Sequence, residues 1–294
     1  MKLKPFLLLI ALSGVLRADE VPAPAAAPAP SPEIGLAEAS VQGRSLWEAG
    51  VIGADLYQPD YPAAGQKHAK WLAAPYLIYR GRILRADREG ARARLVRGRW
   101  ADVEMSFAAS FATRSKDNDA RTGMPDLDYL LEMGPRVSVL LSRLDGRGSL
   151  RLFLPARAVF STDLSNLKHR GFTYSPALYA QVEPFWRSGW IGLMQLAGRF
   201  GDRQINAYFY DVAPEFARPD RPAYDARAGY LGSDLFAGVA IPMGRRWRLF
   251  TGGQLYFDGG SANSASPLFK RRTDYSVGLG LSYALYFSHA PAQP

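Results

Sequence analysis

Between Asp126 and Ser142 the odd positions carry Leu127, Tyr129, Leu131, Met133, Val137, Val139 and Leu141, and the even ones Asp126, Asp128, Glu132, Arg136, Ser138 and Ser142. A period of two puts each set on its own face of a β-strand. Ala101 to Phe111 repeats the pattern, with Val103, Met105, Phe107 and Phe111 opposite Asp102, Glu104, Ser106 and Ser110. So does 148–160, where Leu150, Leu152, Leu154 and Phe160 alternate with Ser149, Arg151 and Arg157. In the last run Tyr275, Val277, Leu279, Leu281, Tyr283, Leu285 and Phe287 face away from Ser276, Gly278, Gly280, Ser282 and Ala284.

Alternation alone fits two architectures. A soluble sandwich turns the apolar face inward, whereas an outer-membrane barrel turns it toward lipid and keeps charge and glycine for a wet interior. Length favours the barrel, because runs of 11 to 17 residues exceed the usual ~5–6 and cover the ~9–11 that a tilted spanning strand needs. Trp47, Trp71, Trp100, Tyr129, Trp190, Trp247 and Phe287 sit near run ends, where interfacial girdles would place them. Connection lengths agree. Long segments near 259–272, 211–228, 161–170 and 112–126 alternate with short ones near 242–245, 184–188 and 143–148, the rhythm of barrels with short periplasmic turns and long outer loops.

The expected runs are 46–58, 70–79, 81–87, 91–97, 100–111, 127–142, 149–160, 171–183, 189–210, 229–241, 246–258 and 273–287. They predict one all-β domain, an antiparallel, up-and-down transmembrane barrel of about twelve strands with both termini periplasmic. Because the third and fourth runs are short and arginine-rich, ten spanning strands plus a surface hairpin is the alternative. Gly280, Tyr283, Leu285 and Phe287 have the form of a terminal strand presented to a barrel assembly machinery.

Composition narrows the chemistry. The 294 residues include 48% apolar side chains and no cysteine, which excludes disulfides, thiolate metal sites and cysteine nucleophiles. No later window approaches the ~18–20 apolar residues of a spanning helix. Lys2 and Lys4 precede an apolar stretch, Phe6 to Leu16, and Ala18 offers a cleavage point, so 1–18 reads as a secretory signal. Residues 19–45 contain VPAPAAAPAPSP and read as an extended periplasmic linker, 46–288 as the barrel, and 289–294 as a short tail. Losing Lys2, Lys4 and Arg17 leaves 33 basic against 27 acidic residues, a modest excess. The arginines at 80, 82, 85, 88, 92, 94, 97 and 99 are interleaved with acids in an exported chain, which argues against nucleic acid.

No catalytic or metal set emerges. His68, His169 and His289 are scattered and read as solvated. Asp117, Asn118, Asp119, Asp126 and Asp128 resemble a calcium loop superficially, but Arg121 and Thr122 stand where a ligand and a glycine are needed. Asp126, Asp128 and Glu132 share a strand face and would form an acid pair in a hydrolase; with Arg136 beside them, balanced interior charges are the preferred reading. The candidate interior charges are Asp128, Glu132, Arg136, Arg151 and Arg157. No cofactor is expected.

Several blocks carry a family resemblance. They are Pro59-Asp60-Tyr61-Pro62; Pro75-Tyr76 with Tyr79-Arg80-Gly81; Asn118-Asp119-Ala120 through Met124, Asp126, Leu127 and Asp128; and Glu132, Gly134, Pro135 and Arg136. Gly171 to Pro176, Tyr208 to Val212, Pro222 to Ala226 and Ser266-Pro267-Leu268 follow. In order and spacing they resemble the MipA/OmpV family over most of 47–287. The resemblance implies an outer-membrane barrel in contact with lipid. It also implies a non-enzymatic scaffold joining a lytic transglycosylase to a bifunctional penicillin-binding protein during peptidoglycan synthesis. A channel or receptor for small charged solutes is the alternative.

Overall fold

The computed structural model describes residues 45–80, 84–87, 90–97, 101–144, 147–187 and 189–290. The expected signal, nearly all of the linker, the last four residues of the tail, and Arg82, Arg88, Arg99 and Trp100 lie outside the described residues. One antiparallel sheet organises what is described. It opens with β1 (Trp47–Pro59) and β2 (Lys67–Arg80), paired from Trp47↔Tyr79 to Pro59↔Lys67. Next come the short β3 (Leu84–Asp87) and β4 (Gly90–Arg97), in the arginine-rich stretch, followed by β5 (Ala101–Ser110), β6 (Tyr129–Leu144) and β7 (Gly148–Thr162). Each pairs with its sequence neighbour.

β8 (Leu167–Tyr174) and β9 (Ala177–Val182) occupy the place of the single strand expected over 171–183, and both pair with β7 and with β10 (Ile191–Gly201). The break falls at Ser175-Pro176, where proline has no N–H to give a ladder. β10 pairs in turn with β11 (Gly229–Met243), β11 with β12 (Trp247–Phe257), and β12 with β13 (Thr273–Phe287). Finally β13 pairs with β1, from Glu48↔Phe287 to Tyr57↔Val277. The flanking segments meet at the same end: Leu46 N donates to Ala290 O (2.7 Å) and Ser288 N to Trp47 O (2.9 Å).

Two expectations need correction. Residues 189–210 are not one strand, because β10 stops at Gly201 and Arg203–Tyr210 form a helix, α1. Asp202 caps it by accepting from Ile205 N (3.0 Å), and Ile205 and Phe209, four residues apart, bury one face. The long connection expected at 161–170 shrinks to 163–166, since β7 and β8 extend to Thr162↔Leu167.

The two faces of the sheet divide by polarity, in the opposite sense to a soluble core. Leu131, Met133, Met194, Leu196, Leu255, Val277 and Leu279 are exposed. Their strand neighbours Glu132, Arg136, Gln195, Arg199, Gln254 and Ser282 are buried. Alternation decides which residues share a face; burial shows that the enclosed face is the charged one.

Candidate functional site

The connections after β1, β5, β10 and β12 converge at one end and pack into a cap. Tyr61, Ala64, Leu127, Ile205, Phe209, Tyr210, Val212, Ala226 and Leu268 form a single buried cluster drawn from four connections and the strand ends beside them. Most of its polar groups find partners within it, Asn118 Oδ1 being an exception. Tyr61 Oη donates to Leu268 O (2.8 Å) and Tyr210 Oη to Pro62 O (3.1 Å). Asp60 is a hub: its carboxylate meets His68 Nδ1 (2.7 Å), Lys70 Nζ (3.4 Å) and Asn118 Nδ2 (2.8 Å), and its carbonyl accepts from Thr113 Oγ1 (2.7 Å).

Two arginines tie loop to loop. Arg121 donates to Phe209 O (3.2 Å) and Pro125 O (3.2 Å). Arg221 donates to Ala120 O (2.9 Å), Thr122 O (3.0 Å) and Phe216 O (2.7 Å). Burial shapes their acid–base behaviour: it pushes the Tyr61 and Tyr210 phenols above their ordinary range, pushes Tyr208 up to about 12, and pulls the Arg121 guanidinium down.

Beneath the cap the enclosed face is laced with ion pairs. Arg136 Nη2 lies 2.8 Å from Glu104 Oε2, and Arg157 Nη1 lies 3.7 Å from Glu132 Oε2, which also accepts from Thr173 Oγ1 (2.9 Å). Arg199 bridges Asp258 (2.6 Å) and Asp234 (3.2 Å). Arg248 meets Glu48 (2.9 Å) at the opposite end. Lys67 pairs with Asp274 (2.5 Å) near the cap.

The five charges singled out in the sequence thus separate. Glu132, Arg136 and Arg157 are buried on the enclosed face, and Arg151 donates to Ser138 Oγ (3.2 Å) on the same face. Asp128 lies before β6 at the cap rim, half-exposed, with Arg170 (3.6 Å) and Ser161 Oγ (3.1 Å). Glu132 is engaged by Arg157 and Thr173, and Asp128 by Arg170 and Ser161. Asn118 and Asp126 also serve the cap, Asp126 accepting from Ser115 N (2.6 Å). No group of three or more metal-binding carboxylates and histidines occurs among the described residues. His68 and His169 sit in β2 and β8 rather than in loops, His169 between the rings of Phe160 and Phe172. In β13 Gly280 is buried, Tyr283 stacks on Trp247 (4.6 Å between centroids) and Leu285 is exposed.

A sequence model of one protein family, MltA-interacting protein MipA, matches residues 52–285. The chain belongs to the MipA family. No curated protein sequence matches it. The blocks that carry the MipA resemblance are far apart in the chain, yet most of them meet in the cap. Asp60 and Tyr61 receive Asn118 and reach Leu268; Ser266 Oγ donates to Tyr210 O (2.8 Å); Asp211 accepts from Ala226 N (2.6 Å). Gly171 stands so close to Asp202 that a Cβ there would lie 2.1 Å from its carboxylate, and that carboxylate accepts from Phe172 N (3.0 Å). Glu132 and Arg136 of this MipA-family chain form the charged layer directly below. Nothing in the local sequence singles out Asn206, Asn263, Arg221 or Asp258, because each acquires its role only when distant segments meet.

Proposed function

We propose that this MipA-family chain is a closed, up-and-down outer-membrane β-barrel of twelve positions, counting β8 and β9 as one, with both termini periplasmic. We further propose that it has no enzymatic activity and acts as a scaffold, its periplasmic turns contacting a lytic transglycosylase and a bifunctional penicillin-binding protein. The observation that carries the membrane reading is the polarity of the sheet: exposed leucine, methionine and valine alternate with buried charge, the order expected when lipid bathes the outer face. The family's name, MltA-interacting protein, supports the transglycosylase as partner. The packed cap and the paired interior charges favour binding over permeation. Glu132, engaged by Arg157 and Thr173, supports a structural rather than catalytic role for the carboxylates.

The test is fractionation of an envelope expressing the full chain, followed by electrophoresis with and without boiling, then capture from the solubilised outer membrane. Heat-modifiable migration together with recovery of the transglycosylase supports the proposal. A soluble periplasmic protein without a heat shift overturns the membrane reading. An outer-membrane barrel that captures neither enzyme, and that conducts in single-channel recording, replaces the scaffold with a channel.

A further inference from the structure

The enclosed face is not uniformly charged. Around β10 to β13 and β1 the ladders align inward residues in levels, each level given by cross-strand register. Nearest the cap are Asp234, Tyr256 and Asp274; the next level holds Gln195, Phe236, Gln254 and Ser276, with Gln58 one residue beyond the last β1 pair. Below it come Leu193, Gly238, Gly252, Gly278 and Leu56, and then Ile191, Ala240, Phe250, Gly280 and Ala54. Glycine at three of five positions in one level lets the Phe236 ring lie over Gly238 and Gly252 and the Leu56 side chain over Gly278, with space left beside them. The result is a chamber of about 110 Å³, lined chiefly by Ile52, Leu56, Leu193, Phe236, Phe250 and glycine backbone.

Two lining side chains are polar in an unusual way. Gln58 and Gln254 are both more than nine-tenths buried, and among the described residues the Nε2 amide of each makes no hydrogen bond of good geometry, that of Gln254 having only a looser contact with the Asp234 carboxylate. Gln254 is oriented by Tyr256 Oη, which donates to its Oε1 (3.0 Å), so its amide nitrogen is the end left over. A buried donor left unmade costs roughly 1–3 kcal/mol, so two of them at the edge of an apolar chamber form a site awaiting an acceptor.

We infer that this chamber binds a small, mostly apolar molecule bearing one hydrogen-bond-accepting oxygen, held by the amides of Gln58 and Gln254 over a floor of Leu56, Leu193 and Phe250. Its size suits a compact body of no more than about six heavy atoms, since it is smaller than the engineered cavity of ~150 Å³ that holds benzene. The inference rests on the barrel reading only for where the chamber sits in the cell; the chamber itself is a property of the enclosed face.

The experiment uses the full chain refolded in detergent, with heat-modifiable migration checked on the same sample so that a failure to fold as a barrel is seen separately. Cyclopentanone is titrated against methyl resonances of Ile52, Leu56 and Leu193, with methylenecyclopentane, which matches its shape and lacks the oxygen, at equal aqueous concentration. The expected result is saturable shifts for cyclopentanone and binding about tenfold weaker for the hydrocarbon, roughly one hydrogen bond's worth. Gln58→Leu with Gln254→Leu should erase that preference, and Ala54→Leu, or Leu193→Phe should the first not refold, should abolish binding of both probes. Equal shifts from both probes in the unaltered protein, shifts that persist in the filled variants, or none at all from a sample that migrates as a folded barrel would overturn the inference and leave a chamber holding water only.

Discussion

Asn263 Nδ2 donates to Asn206 Oδ1 at 2.7 Å, joining the loop before β13 to helix α1 across 57 residues of chain. Both side chains are fully buried and fully used: Asn206 also donates to Gly201 O and Asp202 O, while Asn263 donates to Arg227 O and accepts from Arg227 N and Tyr224 Oη. Replacing Asn263 by alanine orphans several of these partners at once. The expected cost is about 2–4 kcal/mol, from unmade hydrogen bonds in a site water does not reach. Limited proteolysis of the 202–228 and 258–272 segments, faster in the variant while the strands stay protected, would check it.

The close approach of β6 and β7 makes Gly134 irreplaceable. A Cβ at that position would lie 2.0 Å from Ala156 O and 2.8 Å from Arg157 Cα, both backbone atoms that cannot rotate away. Gly134→Ala should sharply reduce the heat-modifiable fraction. Gly253→Ala, whose Cβ meets nothing nearer than Ser276 O at 3.3 Å, should leave it close to normal.

Position relative to the sheet, rather than residue type, should set tolerance to charge. Leu131 and Leu164 are both exposed, but Leu131 lies on the apolar outer face of β6 and Leu164 in the bend between β7 and β8. Leu131→Arg should destabilise the folded state by ~2–4 kcal/mol in a bilayer, and Leu164→Arg by less than ~0.5 kcal/mol. Urea-induced unfolding in lipid vesicles measures both, and equal costs would contradict lipid on the outer face.

Asp258, just past β12, gives the cap a pH dependence. Burial raises its carboxyl from the ordinary 3.8 to about 6, against the opposing pull of Arg199. An acid whose folded pKa lies above its unfolded value binds its proton more tightly when folded. Its contribution is therefore fully present below the unfolded pKa and is lost as pH rises through about 6. The protein should melt higher at pH 5 than at pH 7.5 in this window, and Asp258→Asn should flatten that difference. A slope unchanged in the variant would assign it to other groups.

Strand identity and face were legible in the sequence because both depend on a period of two that needs no partner to be seen. Counting put Glu132 and Arg136 on the polar face of one run and Arg157 on the polar face of the next, and the structure buries all three. The counting failed at 203–210, where Gln204 to Tyr210 still looks like an aromatic strand; the deciding feature, the Asp202 cap, is a single residue. It also failed at Asp128, whose parity matches the interior set but which precedes the first ladder pair of β6. The cap itself was visible only as motifs without a stated purpose, because Asp60 and Asn118 are 58 residues apart and Tyr61 and Leu268 are separated by 207. Contacts of that range leave no local periodicity. Gly278 and Gly280 stand out on the polar face of the last run, but the chamber depends on five strands together, which no single run shows.

The hydrogen bond from Tyr61 to Leu268 spans the first outer connection and the last. Leu268, Ser266 and Asn263 all come from the segment between β12 and β13, so the hydrophobic cluster under the cap lacks part of its wall until the final hairpin has docked. A nascent chain paused one hairpin short would present Tyr61 and Tyr210 without their cover, whereas a finished one hides both. Docking of the last hairpin and concealment of the cap are therefore the same event, at the end of the sheet opposite the one where the flanking segments meet.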